Sequence, residues 1–265
     1  MNADAPLEPT KRRLLVVVPN SVPFRTLGAY AQAVLGSVFC PIDVLVHECK
    51  SPRSDFSSRR SRIGLIGALD EWCYSVTESV LTPWETAVNR LGLPTFTNLF
   101  HTVPSLRDQS FETFVSVGGY DVLLGLGCDY VPVERLPADL TAMNIHPGIL
   151  PRYKGLGNPE AWLRRDFRNI GVTIHQMTSR LDAGEVVIQK RIAGIKHLNI
   201  PLAYLVSYKV GIDKLAKMNA HPSFKLGISL DDGLQQTSNL WRMRLTMYIS
   251  GRLRRLVPRN PAFEG

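Results

Sequence analysis

The sequence predicts an α/β fold, in which a mostly parallel sheet carries helices on both faces and ends in a C-terminal antiparallel hairpin. Short apolar runs bounded by turn residues alternate with segments of helical length in the first half of the chain. Two later strand-like runs are separated by a loop of about seven residues. The 265 residues are 45% hydrophobic and 20% charged, a balance that argues against a mainly disordered, collagen-like or coiled-coil chain.

The N-terminal segment predicts a βαβ unit. Residues 14–18, Leu-Leu-Val-Val-Val, are an apolar run closed by Pro19, which suits a strand buried on both faces. Residues 42–46 have the same character. Residues 27–35 have the length and the Ala/Leu content of a crossover helix, so the two strands should be parallel neighbours.

Two further strands are expected at 121–127 and 141–146, the first of them preceded by a helix over 105–117. Residues 171–177 and 185–192 are predicted to pair as the antiparallel hairpin. A helix over 201–217 then closes the domain, with an apolar face formed by Leu202, Leu205 and Val206.

The remaining segments suggest two units, a catalytic domain over residues 1–220 and a C-terminal region over 221–265. Residues 222–234 are rich in turn formers and predict a linker, and residues 51–62 predict an exposed loop or the start of a long helix.

The formal net charge of +8 is concentrated at the C-terminus. Residues 241–265 carry six arginines and one acid, spaced between apolar residues in the pattern of a basic amphipathic helix. Such a helix can dock on the catalytic domain, form a homodimer or make a peripheral contact with an anionic membrane.

No run of 18 apolar residues and no signal peptide is recognised, which predicts a cytoplasmic protein. The four cysteines, Cys40, Cys49, Cys73 and Cys128, form no CxxC pair and predict reduced thiols without a zinc site.

Polar residues stand at the end of the strand predicted over 141–146. Asn144 and His146 lie two residues apart, so their side chains share one face of the strand. Ligands of open parallel sheets bind beyond the carboxyl ends of the strands, and an amide next to an imidazole can polarise a carbonyl and move a proton. A histidine that merely packs on Pro147 is the structural alternative.

A second polar group is the loop Thr178-Ser179-Arg180-Leu181-Asp182-Ala183-Gly184, between the two hairpin strands. By itself Asp-Ala-Gly is an ordinary turn sequence.

The strand end with Asn144 and His146 and the loop with Asp182 form a more specific pattern when they are taken together. Residues 143–192, containing MNIHPGILPRYKGLGNPEAW and GVTIHQMTSRLDAGEVVIQKRI, closely resemble the folate-dependent formyltransferases, among them the glycinamide ribonucleotide, methionyl-tRNA and sugar N-formyltransferases. In that family an N-x-H-P-S-L-L-P signature precedes a G-V-T-x-H-x-M strand and an L-D-x-G loop.

The resemblance implies a Rossmann-like formyltransferase fold and a catalytic triad of Asn144, His146 and Asp182. It implies transfer of a formyl group from 10-formyltetrahydrofolate to an amine, without a metal ion. Asn144 and His146 would stabilise the oxyanion, and Asp182 would orient His146 and raise its pKa.

The folate is expected to contact backbone groups of two loops. The residues concerned are Leu126, Gly127, Cys128, Thr178 and Gly184. Residues 147–155 should form the wall beside the catalytic pair, with Tyr153 and Lys154 at its rim.

Departures from the family pattern bear on the acceptor. Gly148 replaces the serine after His-Pro, and residues 19–24, Pro-Asn-Ser-Val-Pro-Phe, replace the glycine-rich loop that cradles phosphate. About 45 residues follow Ala220, without the strand pattern of the second domain of the methionyl-tRNA enzymes.

We therefore expect a folate-dependent N-formyltransferase acting on a small-molecule amine, an amino sugar above all, and not on nucleic acid. The alternatives are a formyltetrahydrofolate hydrolase and a non-catalytic scaffold whose basic tail binds acidic surfaces.

Overall fold

The structure is a computed structural model that describes residues 12–48, 88–89, 91–93, 100–155, 157–193 and 200–218. Several predictions lie outside these residues: the 51–62 segment, the 222–234 linker, the basic helix over 241–265, and Cys49 and Cys73. They remain predictions.

The described residues form one seven-stranded sheet in the order β3-β2-β1-β4-β5-β6-β7. Strands β1 to β5 are parallel, and β6 runs in the opposite direction between β5 and β7. The strands are β1 (Leu14–Pro19), β2 (Ile42–His47), β3 (His101–Val103), β4 (Val122–Leu126), β5 (Thr141–His146), β6 (Gly171–Gln176) and β7 (Val186–Arg191). The predicted parallel sheet and its C-terminal hairpin are confirmed.

Within the described residues the helices with defined bounds are α1 (Val22–Leu35), α2 (Gln109–Gly118), α3 (Asn158–Leu163) and α4 (Ile200–Lys217). Helix α1 begins five residues before the predicted start. The extended Ser21 precedes it and a proline stands in its first turn, where no backbone N–H is needed. Helix α2 begins later than predicted, because the Asp108 side chain accepts a hydrogen bond from the Ser110 N–H and caps it there.

Helices cover both faces of the sheet, as predicted. On one face Leu27 of α1 and Leu205 of α4 pack with alternate residues of the central strands. On the other face Phe111 and Val115 of α2 pack with Leu15 and Val17 of β1. None of the described helices is long and apolar enough to cross a membrane.

The register places a continuous row of residues across the middle of the sheet. Leu45 of β2 pairs with Val17 of β1, Val17 with Gly125 of β4, and Gly125 with Asn144 of β5. Neighbours in register point to the same face. Asn144 therefore lies on the same face of the sheet as Leu45 and Val17, close to the carboxyl ends of the parallel strands.

Candidate active site

Strands β5 and β6 present polar side chains on the face that carries Asn144. In this antiparallel pair Asn144 lies opposite His175, and His146 lies opposite Thr173. Side chains two residues apart on a strand point to the same face, so all four side chains share one face of the sheet. An amide and two imidazoles are thus brought together by backbone pairing alone.

Asp182 enters this cluster from the loop between β6 and β7. Its Oδ2 accepts a hydrogen bond of 2.7 Å from the Gly155 N–H. The same oxygen lies 3.6 Å from Nδ1 of His146, and Oδ1 lies 3.4 Å from Nε2 of His175. The Asp182 side chain is 4% exposed. The three predicted residues Asn144, His146 and Asp182 are therefore assembled in one buried cluster, in which His175 stands between Asn144 and Asp182.

The backbone of the loop is shaped to deliver this carboxylate. Asp182 has a φ of +48°, in the left-handed region that asparagine and aspartate tolerate better than most residues. Gly184 passes so close to β6 that a Cβ there would collide with the carbonyl oxygen of Gln176. The glycine of the Asp-Ala-Gly sequence is thus required by a close approach between the loop and β6.

His146 is hydrogen-bonded through Nε2, while its Nδ1 faces Asp182 at 3.6 Å. Its Nε2 lies 2.6 Å from the Tyr153 carbonyl oxygen, which can only accept, so Nε2 carries the proton. Burial lowers the pKa of His146, and the facing Asp182 raises it by less. The expectation that Asp182 gives His146 a raised pKa is therefore wrong in its net direction, because the ring is 3% exposed and desolvation disfavours its charged form.

Asp182 remains ionised near neutral pH. Burial alone would raise the pKa of its carboxyl group, but the two imidazoles and the Gly155 N–H lower it to about 2. A buried carboxylate held in this way supplies a fixed negative charge next to Nδ1 of His146.

His175 is a site residue that sequence reasoning missed. Its Nδ1 donates to the Gln176 carbonyl oxygen at 2.8 Å. Its Nε2 lies 3.3 Å from Nδ2 of Asn144 and 3.4 Å from Oδ1 of Asp182. The Asn144 amide is half-buried. The signal was the histidine of the GVTIHQM run, and pairing β6 with β5 in register would have placed it opposite Asn144.

The predicted folate-contacting residues lie at the end of β4 and in the segments that follow β4 and β6. Leu126 ends β4, and Gly127 follows with a φ of +64° beneath the ring of Phe24. Burial raises the pKa of the Cys128 thiol to about 12, so it is a neutral group. Thr178 is exposed and hydrogen-bonds the Arg180 carbonyl oxygen, and Gly184 is buried. A direct folate contact with these five residues stays a prediction.

A cavity of about 220 Å³ opens next to the cluster, and its lining includes Ala142 and Met177. The complete lining is Val133, Leu136, Pro137, Leu140, Thr141, Ala142, Gln176 and Met177. Ala142 precedes Asn144 by two residues, and the Met177 N–H donates to the Ala142 carbonyl oxygen at 2.8 Å. The Ala142–Met177 pair is thus the neighbour of the Asn144–His175 pair on the same face.

Tyr153 and Lys154 are not rim residues, contrary to the expectation. They are 3% and 8% exposed. The Tyr153 hydroxyl donates to Asp166 at 2.6 Å, which draws the segment inward until its carbonyl oxygen meets His146. Residues 147–155 do form the wall beside Asn144 and His146.

Gly148 departs from the family pattern for a steric reason. At Gly148 a Cβ would lie 2.7 Å from Nε2 of His146, so the serine of the family pattern has no room here.

Comparisons with known proteins give a consistent result. Residues 133–199 match the family model described as formyl transferase. Methionyl-tRNA formyltransferases from Thermotoga sp. (strain RQ2) and Thermotoga maritima are 32% and 41% identical over 101 and 106 residues, each match covering 35% of this chain. The chain spans about a third of the length of these curated relatives, 32% in both cases.

Among solved structures, a sugar N-formyltransferase from a Shewanella species superposes with a TM-score of 0.51 at 14% identity. The superposition covers 89% of this chain and 87% of that one. Such low identity establishes the fold alone. Together these findings confirm the resemblance that the motifs predicted: residues 133–199 carry the formyl transferase pattern, and the chain around them has a formyltransferase fold.

Proposed function

We propose that this protein transfers a formyl group from 10-formyltetrahydrofolate to the amine of a small molecule, and that the acceptor is an amino sugar. The observation that carries the proposal is the buried Asp182 carboxylate in contact with both His146 and His175, with the Asn144 amide beside them. This cluster lies within the segment that matches the formyl transferase family.

The cavity is the proposed place for the ring system of a folate. Its volume of about 220 Å³ lies below the ~300–1,000 Å³ of pockets that enclose whole ligands, so it accommodates one part of a larger molecule. Apolar side chains such as Leu136 and Met177 line it, and such surfaces suit a flat heteroaromatic ring. Bound there, formylfolate would supply an activated formyl group next to Asn144.

The residues of the cluster have distinct tasks in this proposal. The second N–H of Asn144 donates to the formyl oxygen as negative charge develops on it, which is the main electrostatic requirement of acyl transfer. His175 helps to position that amide, because its Nε2 lies 3.3 Å from Nδ2 of Asn144. A proton taken up at Nδ1 of His146 would be stabilised by Asp182, 3.6 Å away.

The choice of acceptor rests on two observations. One solved structure that superposes over most of this chain is a sugar N-formyltransferase. At the end of β1, residues 19–24 contain no glycine, and backbone cradles for phosphate depend on glycine. Methionyl-tRNA formyltransferases match about a third of this chain, which is consistent with the same chemistry on another amine.

The first experiment tests the folate site. 5-Formyltetrahydrofolate, which does not transfer its formyl group, should stabilise the protein by about 2.7 kcal/mol at 100 times its dissociation constant, measured by thermal unfolding. Ala142→Leu fills the cavity and should abolish the effect. Ala138→Leu is the matched control on an exposed neighbouring position. An unchanged melting curve of the wild-type protein in millimolar folate would contradict the proposal.

The second experiment tests the reaction. Release of tetrahydrofolate from 10-formyltetrahydrofolate is followed with and without a panel of amino sugars. Release that depends on an amino sugar supports transfer. Equal release with water alone identifies a hydrolase, and no release with tight folate binding favours a scaffold.

A further inference from the structure

One short segment of the wall contacts both His146 and Asp182. The Tyr153 carbonyl oxygen lies 2.6 Å from Nε2 of His146, and the Gly155 N–H donates to Oδ2 of Asp182 at 2.7 Å. Both contacts are made by backbone groups only two residues apart. The position of residues 153–155 therefore sets how closely His146 and Asp182 approach each other, and Nδ1 and Oδ2 are 3.6 Å apart.

The side chain of Tyr153 anchors this segment to the next part of the chain. Its ring is 3% exposed and packs with Ala161, Ile170 and Ala203 in a small apolar group. Its hydroxyl donates to Oδ2 of Asp166 at 2.6 Å. Burial and the facing carboxylate raise the pKa of Tyr153, so the hydroxyl keeps its proton and remains the donor.

Asp166 is held in turn by two further side chains. Nε of Arg152 lies 3.0 Å from its Oδ2, and Nδ2 of Asn169 donates to both carboxylate oxygens at 3.0 Å. The Tyr153 hydroxyl and Asn169 hold the pKa of Asp166 below its usual range, so the carboxylate is ionised near neutral pH. Hydrogen bonds to an ionised acceptor are roughly twice as strong as neutral ones, so Asp166 is a firm anchor for the tyrosine.

The backbone at the end of α3 presents this carboxylate. Arg165 has a φ of +56°, a left-handed conformation that residues other than glycine adopt at a cost. The next residue, Asp166, donates its N–H to the Ala161 carbonyl oxygen at 2.9 Å, five residues earlier, which is a common way for a helix to end. The helix end therefore determines where Asp166 stands.

A continuous path of contacts thus leads from α3 to the catalytic cluster. Asp166 reaches His146 through the side chain and then the carbonyl group of Tyr153. Reaction rates are sensitive to such supports, because a misplacement of about 1 Å caused far from the chemistry can cost about 100-fold.

We propose that Asp166 and the Tyr153 hydroxyl form a positioning pair that holds residues 153–155 in place and thereby sets the separation of His146 and Asp182. The proposal rests on the proposed function, since it assigns the pair a role in the rate of formyl transfer. Its effect falls on kcat, because the pair adjusts the reacting groups and not the cavity that we assign to the folate.

The test begins with Tyr153→Phe, which removes the hydroxyl and leaves the ring in its apolar group. We expect kcat to fall about tenfold to 100-fold with KM unchanged. In nitrogen NMR spectra of the ligand-free protein, the signals of the His146 ring nitrogens and of the Gly155 amide should both shift, because their hydrogen-bond partners move. Asp166→Ala should shift the same signals.

The chain offers a matched control in Tyr120. This buried tyrosine donates to Asp43 at 2.9 Å and has the Arg13 guanidinium over its ring, the same combination of groups that surrounds Tyr153. It precedes β4, at the amino end of the parallel strands and away from the cluster. Tyr120→Phe should lose as much stability as Tyr153→Phe in urea unfolding, but its kcat and both NMR signals should match the wild type.

A double variant tests whether the two residues act as one pair. Because Tyr153→Phe and Asp166→Ala remove the same hydrogen bond, the combined variant should lose no more kcat than the weaker of the two single variants. Losses that multiply would show that the residues act separately and would overturn the proposal.

Unshifted signals of His146 and Gly155 in Tyr153→Phe, or an equal loss of kcat in Tyr120→Phe, would overturn it as well. The NMR measurement needs no substrate, so its result is independent of turnover. If the signals shift as expected but the wild-type protein formylates no amino sugar, the proposed function fails and the positioning pair stands.

Discussion

Replacing Asp182 by asparagine separates the chemical role of its carboxylate from its structural role. The carboxylate is 4% exposed and contacts the Gly155 N–H and both imidazoles. A carboxamide has the same shape and retains an oxygen for Gly155. Asparagine also tolerates the φ of +48° at this position, so the change introduces no new backbone strain.

The expected loss of stability is small. A hydrogen bond to a charged group contributes about 1.5–3 kcal/mol and an uncharged one about 0.5–1.5 kcal/mol, so the Gly155 contact should weaken by about 1 kcal/mol. Relief of a buried charge offsets part of this. The expected loss of turnover is larger, about 10²–10⁴-fold, which corresponds to about 2.7–5.5 kcal/mol of activation free energy.

The assay measures formyl transfer to the amino sugar that gives the highest rate in the screen, together with urea unfolding. Asp108→Ala is the control, because loss of the α2 cap should cost about 1 kcal/mol of stability without touching the site. The reasoning is refuted if Asp182→Asn keeps turnover within about threefold of wild type, or if the control loses as much activity.

Three other changes test the site and the backbone that supports it. Gly184→Ala should cost more than about 3 kcal/mol of unfolding free energy, because the added Cβ collides with the backbone of β6. Gly119→Ala is the control. Gly119 has a φ of +57° and open space around it, so this change should cost about 1–2 kcal/mol. Urea unfolding that ranks the two equally would contradict this. His146→Ala should lower turnover about 10²–10⁴-fold at saturating substrate, and near-normal turnover would remove His146 from the mechanism. Between pH 7 and 5 the melting temperature should fall, because burial lowers the pKa of His146 in the folded protein and the unfolded chain therefore takes up the proton first. The His146→Gln variant should show a smaller fall in melting temperature. If its melting temperature falls as much as that of the wild type, another group is responsible.

Local patterns were sufficient for six of the seven strands, whereas the short edge strand β3 (His101–Val103) was not predicted. The apolar runs at 14–18 and 42–46 and the helical segment between them contain all the information that a parallel βαβ unit needs, because burial on both faces demands continuous apolar residues. Element ends were less well predicted. The start of α1 depends on Ser21 and a following proline, a signal at a single position that hydrophobic periodicity does not register.

The sequence by itself determined that Asn144, His146 and Asp182 are the candidate chemical groups, because their types and spacing match a family pattern. It also determined that Asn144 and His146 share a face, since a strand has a period of two. Neither result needs contacts between distant residues.

Only the tertiary structure decided how these groups behave. His175 joined the site because the β5–β6 register sets it opposite Asn144. The net pKa shift of His146 is downward because the degree of burial, which no local pattern specifies, outweighs the single carboxylate beside it. Tyr153 and Lys154 became buried, and the Asp129 N–H came to donate to His47 across 82 residues of chain. Burial and distance are properties of packed neighbours, so they are decided where remote segments meet.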